Sequence, residues 1–108
     1  MKFLVIATSR ESLASLKIPP EQALKLILAE NQLAIQALKE GTMEVGYLFA
    51  GLKGGMFIGD VESGAELNAA LTRLPLYDSV DVQIYPLMTF DEGIAQAKQG
   101  LEALKAQK

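Results

Sequence analysis

The first strand is apolar on both of its sides, and few folds accommodate that in so short a chain. Along Lys2-Phe3-Leu4-Val5-Ile6-Ala7-Thr8, Phe3 and Val5 point one way and Leu4 and Ile6 the other. The run is short and rich in Val, Ile and Phe, so residues 2–8 read as a strand. A sheet with such a strand inside it must be covered on both faces. The chain has 108 residues, the size of one domain of roughly 100–150 residues. One layer of helices is all it can supply. The other face then needs a second copy.

The rest of the chain supplies that helix layer. Residues 9–18 form a Ser-rich connection whose Leu13, Leu16 and Ile18 are expected to pack on the body. Pro19-Pro20 opens a helix that runs to about Lys39, and Gly41 ends it where a positive φ is wanted. Leu24, Ile27, Leu28, Ile35 and Leu38 form the expected core-facing stripe, at i, i+3, i+4 spacing. Leu26, Leu33 and Ala37, with Ala23 and Ala34, make a second stripe. Together they exceed what one sheet face can cover, and that excess needs a partner.

Residues 42–50 and 54–61 read as two strands of a hairpin joined by Gly51-Leu52-Lys53-Gly54. Ser63-Gly64-Ala65-Glu66 has the spacing of a capping box and starts a helix with Leu67, Ala70, Leu71 and Leu74 on one face; Pro75 stops it. Residues 80–87 alternate, with Val80, Val82 and Ile84 on one side and Asp81, Gln83 and Tyr85 on the other. Thr89-Phe90-Asp91-Glu92 is a second capping box. It opens a terminal helix striped by Phe90, Ile94, Ala97, Leu101 and Leu104. The order predicts an α+β, ferredoxin-like βαββαβ fold with an added C-terminal helix and a four-stranded antiparallel sheet. One domain, residues 1–108, accounts for it.

Composition narrows the chemistry. With no Cys and no His, there is no disulfide framework, no thiolate metal site and no Ser-His-Asp triad. A net charge of −3 argues against a nucleic-acid surface. Carboxylate clusters for a metal are absent, since Glu62 and Glu66 belong to a helix start where acids are favourable. The glycines between 41 and 59 do not form a phosphate loop, because neither GxGxxG nor Gly-Lys-Ser/Thr occurs. The apolar run after Lys2 is too short for the h-region of a signal peptide, about 7–15 residues. No stretch approaches the ~20 apolar residues of a membrane span. The expected location is the cytoplasm.

Gly59-Asp60-Val61-Glu62-Ser63, then Leu67, then Leu74-Pro75-Leu76-Tyr77 and Val80-Asp81-Val82-Gln83-Ile84 resemble the muconolactone Δ-isomerase family. So do Ala29-Glu30, Leu33-Ala34 and Lys39-Glu40-Gly41-Thr42 in the first helix. The resemblance covers roughly residues 20–88, and Leu74-Pro75-Leu76 is its most specific part. It implies a ferredoxin-like subunit in a dimeric α+β barrel, often within larger rings. It also implies proton-shift chemistry on a small unsaturated lactone bearing a carboxylate, without a cofactor. In this chain the second strand and its turn are apolar at Leu48 and Leu52, which leaves Lys53 and Arg10 as positive charges for such a substrate.

A proton shift next to a carbonyl needs one base that can return the proton, and a donor for the enolate oxygen. Without histidine, a carboxylate of raised pKa serves. Glu30, within the segment that resembles the family's first helix, is the candidate catalytic residue; its other reading is a solvated helix position. Asn31 falls among Ile27, Leu28 and Ile35, where it either binds a substrate oxygen or bonds to Tyr47 or backbone. Tyr47 and Tyr85 offer phenolic donors, or else core or interface packing. Lys53 is a possible anion anchor. Glu44, three residues from Tyr47, is expected as an edge charge on the opposite face. The expectation is therefore a cofactor-independent isomerase acting on a small-molecule ligand, assembled as a homodimer or larger ring. Its rival is a non-catalytic binding or assembly protein on the same fold. A cofactor-free oxygenase is disfavoured, since no Trp or His is present.

Overall fold

The computed structural model describes residues 1–10, 18–51 and 53–107. Leu13, Leu16 and Leu52 lie outside the described residues. The elements run β1 (Lys2–Ser9), α1 (Pro20–Glu40), β2 (Met43–Leu48), β3 (Gly54–Asp60), α2 (Gly64–Thr72), a 3-10 turn (Tyr77–Ser79), β4 (Val80–Pro86) and α3 (Phe90–Ala106). The strands pair antiparallel in the order β2-β3-β1-β4. The expected four-stranded sheet is present, and the doubly apolar β1 is central in it.

Local chemistry explains the boundaries. Pro20 stands at the start of α1, where its missing N–H costs nothing, and Gly41 closes the helix at φ 82°. Ser63 accepts from the Glu66 N–H at 3.1 Å to open α2. Thr89 and Glu92 bond reciprocally at the start of α3, at 3.0 and 3.1 Å. Gly54 begins β3 at φ 127°, so close to β1 that a Cβ there would lie 1.9 Å from the Ala7 carbonyl oxygen. Only glycine fits that position.

The core lies between the sheet and its helices. Phe3 and the fully buried Val5 pack with Leu67 and Leu71 of α2, flanked by Phe57, Val61, Leu74, Tyr77 and Val82. The register places Val5, Phe57 and Ile84 in one cross-strand row of that face. On the other face Val45, Ile58, Leu4 and Tyr85 form one row, and Tyr47, Met56, Ile6 and Gln83 the next. Among the described residues, no helix covers those two rows.

Two sequence expectations are corrected. In α1 the face turned to the body carries Ala23, Ile27, Glu30, Ala34 and Ala37, all buried or half-buried. Small side chains let the helix lie close to the sheet. The expected core stripe is instead exposed at Leu24, Leu28, Ile35 and Leu38, with only Ile27 among its members turned inward. The excess apolar surface is real, and the larger stripe is the one left over. The second correction concerns Glu44. A register shift between Met43 and Val45 brings it to Lys2 at 2.9 Å, on the uncovered face with Tyr47. A bulge sets aside simple alternation at that point.

α3 stands apart. None of its residues is buried, and Phe90 is 95% exposed. The molecule extends 67 × 29 × 25 Å, with a radius of gyration of 18.4 Å, against about 13 Å for a compact chain of this length. Among the described residues, no helix is long and apolar enough to cross a membrane.

Candidate functional site

Glu30 projects from the inner face of α1 toward the turn between α2 and β4. Pro75 cannot continue a helix, so the chain folds into that turn, and the Leu76 backbone N–H hydrogen-bonds to the Glu30 carboxylate. Burial pushes the Glu30 pKa up from the ordinary 4.5, and the Leu76 hydrogen bond draws it partly back. A desolvated carboxylate of this kind is a stronger base than one in water, yet still ionises. Tyr77, next in the turn, packs on the Phe3–Val5–Leu67–Leu71 core, which fixes the turn against the helix layer.

The two positive charges gather at this end of the sheet. Ser9 donates its backbone N–H to the Lys53 carbonyl at 2.9 Å, and Arg10 donates its own to the Ser79 carbonyl at 3.0 Å. The Arg10 guanidinium also bonds to the Asp78 carbonyl and sits 3.4 Å from the Asp81 carboxylate. Arg10 is thus already engaged, and Lys53 remains exposed. The far end of the sheet behaves differently. There a shallow concavity on the uncovered face is lined by Lys2, Glu44, Ile58, Asp60, Met88 and Glu92 among others. Its positive groups are paired, Lys2 with Glu44 at 2.9 Å and the N-terminal amine with Asp60 at 3.1 Å.

The five sequence candidates separate into three places. Glu30 and Asn31 belong to the helix layer, but Asn31 is turned toward the outer stripe between Leu28 and Ile35. Tyr47 and Tyr85 lie on the uncovered face, on opposite edge strands and in successive rows, with three strand spacings, about 14 Å, between their strands. Tyr47 is 70% exposed. Lys53 occupies the turn before β3. Within one chain the sheet stands between Glu30 and both tyrosines, and it also separates Asn31 from Tyr47. Leu76 is the contributor that residue-type reasoning passed over, because it acts through its backbone. Its signal was the Leu74-Pro75-Leu76 motif itself.

This geometry accompanies a clear set of likenesses. None of the curated proteins compared with the chain matches it. The crystal structure of a muconolactone isomerase superposes with a TM-score of 0.70 at 28% identity, covering 82% of this chain and 90% of that one. A 5-chloro-2-hydroxyhydroquinone dehydrochlorinase from Burkholderia phenoliruptrix AC1100, in complex with 2,5-dihydroxybenzoquinone, superposes with a TM-score of 0.56 at 17% identity. That pairing covers 82% of this chain and 94% of the other, and shares the fold. The family model for muconolactone delta-isomerase matches residues 1–92. By that match, over most of its length, the chain belongs to the muconolactone delta-isomerase family.

Proposed function

We propose that the protein is a cofactor-independent isomerase that moves a proton on a small unsaturated lactone or organic acid. The observation that carries this reading is the half-buried Glu30, raised in pKa and held beside the Leu76 N–H, in a chain of this family. Glu30 takes the proton from the γ carbon of the α,β-unsaturated carbonyl, the electrons pass into a dienolate, and Glu30 returns the proton at the α carbon. The double bond shifts and no redox partner is needed. A single carboxylate suffices because the base becomes the acid for the second half. Lys53, exposed at the same end of the sheet, anchors the substrate carboxylate.

Tyr47 and Tyr85 belong to a different part of the proposal. Two copies packed with their uncovered faces together enclose both residues, and there they bind ligand between the sheets. This is the dimeric barrel that the apolar rows around Leu4, Ile6, Val45 and Ile58 favour. The chain exposes 8122 Å², whereas a compact monomer of its mass exposes about 5,900 Å². The excess is of the size that assembly covers.

A second reading draws on the separation of Glu30 from the tyrosines. If ligand binds only between paired sheets, the protein is a non-catalytic binding or assembly protein. Proton exchange in D₂O, followed by NMR on muconolactone and related butenolides, distinguishes the two. Deuterium entering the α or γ carbon with wild type, and not with Glu30→Gln, supports the isomerase. Exchange with neither chain supports the binding protein.

A further inference from the structure

Two exposed helical stripes in this chain have the same spacing. On α1 it runs Leu24, Leu28, Asn31, Ile35, Leu38, and on α3 Phe90, Ile94, Ala97, Leu101, Leu104. Both step by four, three, four and three residues, and each spans about 21 Å. Among the described residues neither is covered: Leu24, Leu28, Ile35, Ile94, Leu101 and Leu104 are all more than half exposed. We propose that α3 is an arm that packs antiparallel along the outer stripe of α1 in a second copy of this chain.

Charge selects the direction. Antiparallel packing sets Asp91 at the start of α3 beside Lys39 at the end of α1, and Lys105 beside Glu21 at the opposite ends. Parallel packing sets Asp91 beside Glu21 and Lys105 beside Lys39. The helix dipoles favour the antiparallel arrangement as well. Gly93 and Gly100 flank the α3 stripe, and a Cβ at Gly100 would meet nothing in the chain. Small residues there let the axes approach within the 8–10 Å, roughly, of packed helices. Asn31 marks the middle of the α1 stripe, the place where one polar residue sets register in helix pairs.

The occupant is a copy of this chain because the stripes match in length, spacing and end charges. The family match stops at residue 92, so α3 beyond its first turn lies outside the matched residues. The proposal does not depend on the isomerase reading or on the paired sheets.

The chain contains no Cys, so single cysteines give a clean test. Full-length Phe90→Cys is mixed with ¹⁵N-labelled Leu38→Cys, or with ¹⁵N-labelled Leu24→Cys, and oxidised; intact mass identifies mixed disulfides. The expected result is at least about tenfold more mixed product with Leu38→Cys, since 1.4 kcal/mol corresponds to tenfold. Equal yields, or an excess with Leu24→Cys, overturn the proposed direction and with it the proposal. So does a doubly substituted Leu38→Cys, Phe90→Cys chain that closes within itself at high dilution. Light scattering on Ile94→Asp, Leu101→Asp separates this contact from the sheets: a dimer that persists while the mixed disulfide is lost leaves paired sheets standing. Loss of neither overturns the arm.

Discussion

The Glu30 carboxylate meets the backbone N–H of Leu76 across the gap between α1 and the turn into β4. The contact joins the two segments whose sequences most resemble the family, one through a side chain and the other through its main chain. Burial outweighs the hydrogen bond, so the folded chain holds the Glu30 proton more tightly than the unfolded chain does. The stabilising effect of that proton is fully present below the ordinary carboxylate pKa and declines as pH rises through the folded value. Glu30→Gln removes the decline. Thermal melts from about pH 4 to about pH 8 are expected to coincide at the acid end and to favour the variant at neutral pH. A variant that is less stable at neutral pH means that the Leu76 hydrogen bond dominates.

The same shift governs the rate. A base works only when ionised, so proton exchange by wild type rises with pH through the raised Glu30 pKa and then levels. The profile is measured with the D₂O experiment, by varying buffer pH on one butenolide. A flat profile over that range places the base elsewhere.

Ala23 tests which face of α1 meets the sheet. It is 1% exposed, and Ala23→Leu strengthens the apolar pattern while forcing extra volume against the sheet. Overpacking of this kind costs about 1–3 kcal/mol. Urea denaturation is expected to show that loss; an unchanged or raised midpoint means the helix has room to move.

The fold was legible because short-range signals agreed: caps at Ser63 and Thr89, breakers at Pro19-Pro20 and Pro75, and period-two alternation from Val80 to Tyr85. The orientation of α1 was not. Hydropathy ranks Leu24, Leu28, Ile35 and Leu38 above Ala23, Ala34 and Ala37, whereas close packing on a sheet selects small side chains. The placement of Glu44 depends on a bulge between two strands, a property of the ladder and not of β2 alone. Glu30 could be singled out by residue type and its neighbours in sequence. Its partner could not, because any residue can supply a backbone N–H.

Gly54 provides a contrast between two glycines. Its φ of 127° and the 1.9 Å approach of a Cβ to the Ala7 carbonyl oxygen leave no relaxed position for a side chain. Gly54→Ala is expected to lose at least about 3 kcal/mol or to fail to fold. Gly64 opens α2 with nothing within 4 Å of a Cβ, so Gly64→Ala stays within about 0.5 kcal/mol of wild type. Paired urea melts check both. Similar losses at the two sites place the cost in glycine's general freedom and not in the β1–β3 approach.

Ile6 tests the uncovered face. It lies in the row Tyr47, Met56, Ile6, Gln83, away from the Phe3–Val5 core, so a charge there is tolerated by an isolated chain. Between two paired sheets an arginine would be buried without a partner, which costs several kcal/mol, roughly 3–5. Each 1.4 kcal/mol is about tenfold in a dissociation constant. Ile6→Arg is therefore expected to keep its far-ultraviolet circular dichroism while weakening the sheet-to-sheet dimer at least about a hundredfold. Light scattering across a dilution series reads the change. An unaltered particle mass with intact secondary structure means that the two apolar rows are covered by something other than a second sheet.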